Sequence, residues 1–252
     1  QIAAKYAEGD LATELKCAGG ALNDDCVTAF VEDFGTRAFR HPLTDEEHSR
    51  FMALYTSVKN QFDAKTGVET IVRATLSSPS FIYAVESTPG DAKDGDVIRL
   101  TGMEMATRLA FLLWNRGPDR ELIDLAAAGE LDTDEGVASV AKDMIADPRA
   151  KEGFQNFYEQ WFLTNTLPNV QRTMDASLFP DATQLVPEMT ASFRAMVDDV
   201  VWGQDGGIRE LLLAPVMYVT PNTAPIFGVP SPVNGTMERL ATVPYRVGVL
   251  TQ

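Results

Sequence analysis

Leu100-Thr-Gly-Met-Glu-Met-Ala-Thr-Arg-Leu-Ala-Phe-Leu-Leu-Trp-Asn-Arg-Gly-Pro-Asp119 reads as a helix with both ends written out. Thr101 and Glu104 form a capping box, in which the hydroxyl accepts from a free amide of the first turn and the glutamate returns to the cap's own N–H. From Met103 to Asn115 the residues are apolar on nearly every side except at Arg108, which predicts a central, buried helix. Gly117 stops it, and Pro118 suits the first position of the next helix. Asp119 and Glu121 fall in that first turn, where the helix dipole favours negative charge. An upstream block, Arg37-Ala-Phe-Arg-His-Pro-Leu-Thr-Asp-Glu-Glu47, is written the same way. His41-Pro42 ends one helix, because the residue before proline is pushed out of the α region. Thr44, with Glu47 three residues on, opens the next.

Outward from these blocks the apolar spacing stays helical. Val27, Phe30, Val31, Phe34 and Ala38 share one face, and Phe51, Leu54, Tyr55 and Val58 share another. A third helix over 67–76 carries Val68, Ile71, Val72 and Thr75, Ser78-Pro79 ends it, and 81–83 is a short apolar anchor. Thr88 to Asp96, rich in Pro, Gly and Asp, reads as a linker. Further helices are expected up to Gly129 and over 134–146, 151–163, 183–202 and 208–213. The 151–163 helix stacks Phe154, Phe157, Tyr158, Trp161 and Phe162 on a face read as core. Prolines 215, 221, 225, 230, 232 and 244 break up the rest, leaving 216–220 extended and 223–227 as one turn. The expected fold is mainly α. An N-terminal helix and Cys loop (1–23) precede a small helical unit (24–88), which packs on a larger multi-helix domain (97–228). An irregular, Pro-rich extension (229–252) opens a third domain.

The composition narrows the function. With 252 residues the chain can bury a sizeable core, and 45% hydrophobic with 23% charged residues is ordinary for a globular protein. The apolar run Leu109 to Trp114 is far too short to cross a bilayer. A net charge of −15 excludes a nucleic-acid partner, whose phosphates need a basic surface. The acidity reads as a solvated surface. The two cysteines, Cys17 and Cys26, match neither a zinc pattern nor a haem attachment site. The Gly- and Asp-containing turn between them lets the sulfurs meet, so a local disulfide and an exported protein (periplasmic, outer-membrane-associated or extracellular) are expected. Gln1 is not an initiator Met and no signal peptide is visible, so the chain reads as a piece of something longer.

The two blocks, with Ser78-Pro-Ser-Phe-Ile-Tyr-Ala-Val-Glu86, Met144-Ile-Ala-Asp-Pro-Arg-Ala150 and Gln160-Trp-Phe162, resemble a family of exported multidomain proteins of planctomycetes and myxobacteria. Those proteins are built from consecutive domains of unknown function, often fused to or encoded beside a cytochrome c-type domain. His41 departs from the family pattern, which has a second arginine there. Arg246-Val-Gly-Val-Leu-Thr-Gln252 is similar to the start of a third domain. The resemblance implies a cytochrome c-type partner that carries the haem. This chain has no haem ligation motif, so no cofactor is expected in it. No activity or catalytic residue comes with the resemblance.

Four residues stand out as substrate or ion-pair candidates. Arg108, on an apolar helix, needs an anionic partner. Glu104, one turn back, and Glu159, on the aromatic helix, are the candidates for a structural pair, and an anion- or substrate-binding arginine is the alternative. His41 sits beside Arg40 and near Asp45 and Glu46, a setting for a proton-transfer group or a plain hydrogen-bonded histidine. His48 lies across the proline break from it, so no metal is expected. Trp114, Trp161 and Trp202 would form a sugar platform only on the surface, and their spacing argues for core. Gly90 to Asp96 has the composition of a calcium loop without its spacing. No nucleophile elbow, phosphate loop or dinucleotide fingerprint occurs. The functional expectation is a helical scaffold or binding portion of an exported bacterial envelope protein, contacting its own missing C-terminal domains or a redox partner. The alternative is an extracellular redox or polysaccharide-active enzyme whose site is shared with those missing domains.

Overall fold

A computed structural model describes residues 11–15, 17, 20, 22–84, 86, 95–169, 182–241 and 246–251. The architecture is mainly α, in agreement with the sequence, and the chain divides into two compact units, Gln1–Ala146 and Asp147–Gln252.

The first unit begins with α1 (Leu11–Glu14), α2 (Asp24–Phe39), α3 (Asp45–Gln61), α4 (Ala64–Leu76) and α5 (Pro79–Ile82). Side-chain caps set these boundaries. Asn23 accepts from the Cys26 amide at 2.9 Å, and Thr44 and Glu47 form the expected capping box. Asp63 accepts from the Thr66 amide at 2.7 Å, so α4 starts at Ala64, before the Gly67 suggested by periodicity. Gly67 instead sits inside the helix, where an added Cβ would lie 2.6 Å from Cδ2 of Tyr55. The absence of a side chain there lets α3 and α4 approach closely. Around that contact Val27, Val31, Tyr55, Val68 and Ile71 are each no more than 1% exposed. The Cys17–Cys26 disulfide is present, with Cα atoms 5.2 Å apart, and it ties the segment after α1 to the first turn of α2. The linker read over 88–96 lies outside the described residues except for 95 and 96.

The unit continues with α6 (Gly102–Leu109), α7 (Arg120–Ala127) and α8 (Asp134–Ala146). The capping box at Thr101 and Glu104 is formed, but α6 does not run on as a plain α-helix. It widens into a π-turn over Ala110–Trp114 and stops at Asn115 in the left-handed conformation (φ 54°), two residues before Gly117. Asparagine tolerates that conformation as a helix terminator. The widened turn leaves Phe111 and Leu112 exposed while Leu113 and Trp114 stay buried. The helix is therefore not buried all round, contrary to its sequence reading. Trp114 Nε1 donates to the Met144 carbonyl at 3.0 Å, fixing α8 against this turn. Asp119 accepts from the Leu122 amide and is the N-cap of α7, so Pro118 lies outside that helix and not at its first position.

The second unit holds α9 (Pro148–Trp161), a 3₁₀ turn (Thr164–Asn169) and α10 (Ala182–Val197), which widens into a second π-turn over Asp198–Gly203. Then follow α11 (Ile208–Leu213), β1 (Met217–Val219), α12 (Ala224–Phe227), β2 (Glu238–Leu240) and a 3₁₀ turn (Val249–Thr251). Asp147 caps α9 and Pro148 takes its first turn, three residues earlier than the sequence suggested. Tyr158, Phe193, Met196, Val197, Val200 and Leu211 form the core. β1 and β2 pair antiparallel with Met217 opposite Leu240, a long-range pairing without a local sequence signal. Gly248, at φ 69°, crosses so close to α11 that a Cβ would fall 1.8 Å from the Leu212 carbonyl oxygen. The aromatic face of α9 is only partly core: Tyr158 is buried, whereas Phe157 is 53% and Trp161 47% exposed. A helix packed on one side leaves the flanks of so broad a stripe in solvent.

Candidate functional site

The residues singled out from sequence do not converge on one point. Arg108 and Glu104 are on α6, and His41 follows α2. Glu159 belongs to the second unit, where it pairs with Arg194 on α10. It is therefore not the partner of Arg108. That partner is Glu86, which sequence reasoning missed: Arg108 Nε and Nη2 donate to its two carboxylate oxygens at 2.5 and 2.7 Å. This bidentate geometry is the strong form of an ion pair. The arginine is nevertheless not buried, as its side chain is 61% exposed. Its hydrogen bond holds the Glu86 carboxyl below the usual carboxylate range, and Glu86 in turn raises the arginine. Glu104 contributes charge nearby, while its Oε2 accepts from the Thr101 amide and hydroxyl at 2.8 and 2.9 Å.

The pair sits at a pocket of about 570 Å³ within the first unit, between the end of α2, the α5 turn and α6. Phe39, Tyr83, Met103 and Phe111 supply apolar wall, and Arg40, His41 and Glu104 supply polar edge. Volume and lining fall in the range of small-molecule sites. His41 Nδ1 lies 2.8 Å from the Pro42 carbonyl. A carbonyl only accepts, so Nδ1 carries the proton in that contact. Nε2 is 3.9 Å from a carboxylate oxygen of Glu47, a contact that becomes an ion pair when the ring is protonated.

Arg40 is the second residue the sequence reading passed over. It ends α2 in the left-handed conformation (φ 65°) and is only 9% exposed. Its Nη1 donates to the carbonyls of Ala38 and Phe81 at 3.3 and 3.2 Å. Its Nη2 donates to those of Ser80 and Tyr83 at 2.6 and 2.7 Å. One guanidinium thus clasps the end of α2 to the α5 turn, and its burial depresses its pKa. Both missed residues stand in blocks quoted above: Arg40 in the Arg37–Glu47 block, Glu86 at the end of the Ser78–Glu86 block. Neither spacing tells which atoms they reach.

A second cavity of about 600 Å³ lies in the second unit, lined by Lys151, Gln155, Glu159, Arg194 and Asp198. Its charges are tied across it: Arg194 to Glu159, Lys151 to Asp198 at 2.8 Å, and Gln155 to Asp198. Among the described residues no group of three His, Cys, Asp or Glu side chains is placed to hold a metal. No described helix is long and apolar enough to cross a membrane.

Residues 100–229, more than half of the chain, match the model of PSD4, a protein of unknown function (DUF1592). The chain belongs to this family. Ahead of that stretch, residues 26–86 match PSD5, a protein of unknown function (DUF1595). In family terms, the Arg108–Glu86 pair joins the first helix of the PSD4 match to the last residue of the PSD5 match, and the pocket is lined from both. No curated protein and no solved structure matches the chain.

Proposed function

We propose that this chain is the helical binding portion of an exported bacterial envelope protein, and that the pocket beside Arg40 and Arg108 is its recognition site. The observation that carries the reading is the state of the charges around that pocket. Arginine stays cationic at any physiological pH, and Glu86 is held ionised by Arg108. The arginines and Glu86 present fixed charge to a ligand, which suits recognition, while His41 at the pocket edge is a group that could exchange a proton. The disulfide supports export, because such a bond persists in an oxidising compartment. A cytochrome c-type redox partner, and an origin in planctomycetes or myxobacteria, rest on the resemblance of the sequence blocks alone.

Soaking crystals with a library of small neutral and charged fragments tests the recognition site. Fragments should collect in the Arg40–Arg108 pocket in preference to the cavity between α9 and α10. An empty pocket beside occupied sites elsewhere would sink the reading. Fractionation of a tagged full-length protein tests export: the protein should appear outside the cytoplasm, with Cys17 and Cys26 inert to alkylation until reduced.

A further inference from the structure

We infer that the pocket takes a small organic anion, a carboxylate- or sulfonate-bearing molecule with a flat apolar body. The inference rests on the recognition reading above and adds the chemistry of the ligand. Arg40 is nine-tenths buried, and all four N–H groups of its two terminal nitrogens go to neutral backbone carbonyls. Among the described residues no carboxylate pairs with it. A buried guanidinium is satisfied in hydrogen bonds there but not in charge, and a desolvated charge attracts a counter-ion more strongly than one in water.

Of the carboxylates at the pocket, Glu86 gives both oxygens to Arg108, while Glu104, whose Oε2 bonds the neutral Thr101 cap, also acts electrostatically on Arg108. Arg108 spends Nε and Nη2 on Glu86, and no hydrogen bond from its Nη1 occurs among the described residues. An anion at the mouth would accept from that nitrogen while lying in the field of Arg40. Phe39, Tyr83 and Phe111 offer ring surfaces for the apolar body. The protein's overall charge of −15 opposes anions in general, so an anion that binds must be held locally.

The test uses two fluorescent probes with the same ring system, the anionic anilinonaphthalene sulfonate and the neutral N-phenyl-1-naphthylamine. The sulfonate should bind saturably at one site, about tenfold more tightly than the neutral probe, the weight of one charge-assisted hydrogen bond. Ala84→Trp, which fills the pocket without deleting a hydrogen bond, should abolish that site. The double variant Arg108→Met/Glu86→Gln removes the exposed pair at no change in net charge, and it should weaken the sulfonate several-fold while leaving the neutral probe unchanged, the field of Arg40 keeping the rest of the preference. Equal affinities for both probes, each lost in Ala84→Trp, would overturn the anion inference and leave the recognition reading standing. Sulfonate binding unchanged in the double variant would overturn the inference too. Binding of both probes unaffected by Ala84→Trp would overturn inference and recognition reading together.

Discussion

Replacing Arg40 tests whether one buried side chain holds the pocket together. Its guanidinium makes four hydrogen bonds to carbonyls of Ala38, Ser80, Phe81 and Tyr83, between 2.6 and 3.3 Å. A hydrogen bond to a charged group is worth about 1.5–3 kcal/mol net. Simple addition over the set would exceed what one side chain can contribute, and two corrections bring it down. Taking a guanidinium out of water costs several kcal/mol after relaxation. The carbonyls of Ser80, Phe81 and Tyr83 are only part-buried, so water replaces some of the lost bonds. The net loss expected for Arg40→Ala is about 3 kcal/mol, the cost of leaving the least accessible of these carbonyls without a donor.

Arg40→Lys separates charge from shape. Lysine keeps the charge but offers three donors from a single point, and the four carbonyls converge from two sides on a planar fork. It should recover less than half of the loss. Arg40→Gly relieves the left-handed backbone at φ 65° but supplies no donor, so it should fall close to alanine. Urea unfolding by far-UV circular dichroism gives the stabilities, and hydrogen exchange of the 79–83 amides shows whether the α5 turn is the part released. If Arg40→Lys matches the parent protein, or if Arg40→Ala costs less than about 1 kcal/mol, the clasp is not what organises this pocket.

Gly67→Ala sets two effects against each other: helix propensity favours alanine by about 1 kcal/mol, while a Cβ placed 2.6 Å from the buried Tyr55 ring forces repacking. Overpacking costs about 1–3 kcal/mol, so the substitution should lower the urea midpoint, and a rise would show that α3 and α4 separate freely. Reducing Cys17–Cys26, with a sequence separation of 9, should cost about 2.5 kcal/mol by loop-closure entropy; equal melting with and without reductant would contradict this. Acid should loosen the Arg108–Glu86 pair in a defined direction. Glu86 is shifted down by its hydrogen bond from Arg108, so its contribution is fully present above the ordinary carboxylate pKa and is lost as pH falls through the lowered value. Carbon NMR of the Glu86 carboxyl should show a midpoint below that of Glu86 in Arg108→Met, and coincident midpoints would remove the pair as the cause.

Several helix boundaries were legible because each is encoded within a few residues. Thr44 with Glu47 and Thr101 with Glu104 satisfy their own amides, whereas the helix read as ending at His41-Pro42 already ends at Phe39, with Arg40 in the left-handed conformation. The errors were equally local: Asp63 opens α4 ahead of Gly67, and Asn115 ends α6 ahead of Gly117, because a less obvious residue did the same work sooner. The Cys17–Cys26 pairing was readable for a similar reason, since a short turn leaves the sulfurs little choice.

Exposure and long-range pairing were not readable in that way. Phe157 and Trp161 follow the spacing of a core stripe, yet they stand half in solvent, because how far a stripe is covered depends on the width of its neighbour. Arg108 announced that it needed an anion, but its partner Glu86 lies 22 residues earlier, across the linker, and nearer carboxylates looked as good. Arg40 gave no signal at all, since its partners are backbone carbonyls and every residue carries one. The sequence by itself therefore determined a mainly α chain, several of its helix ends and its disulfide, which are short-range consequences of residue type. Only the tertiary structure decided that Arg40, Glu86 and Arg108 meet at one pocket, because the contacts that build it depend on where distant segments of the backbone come to lie.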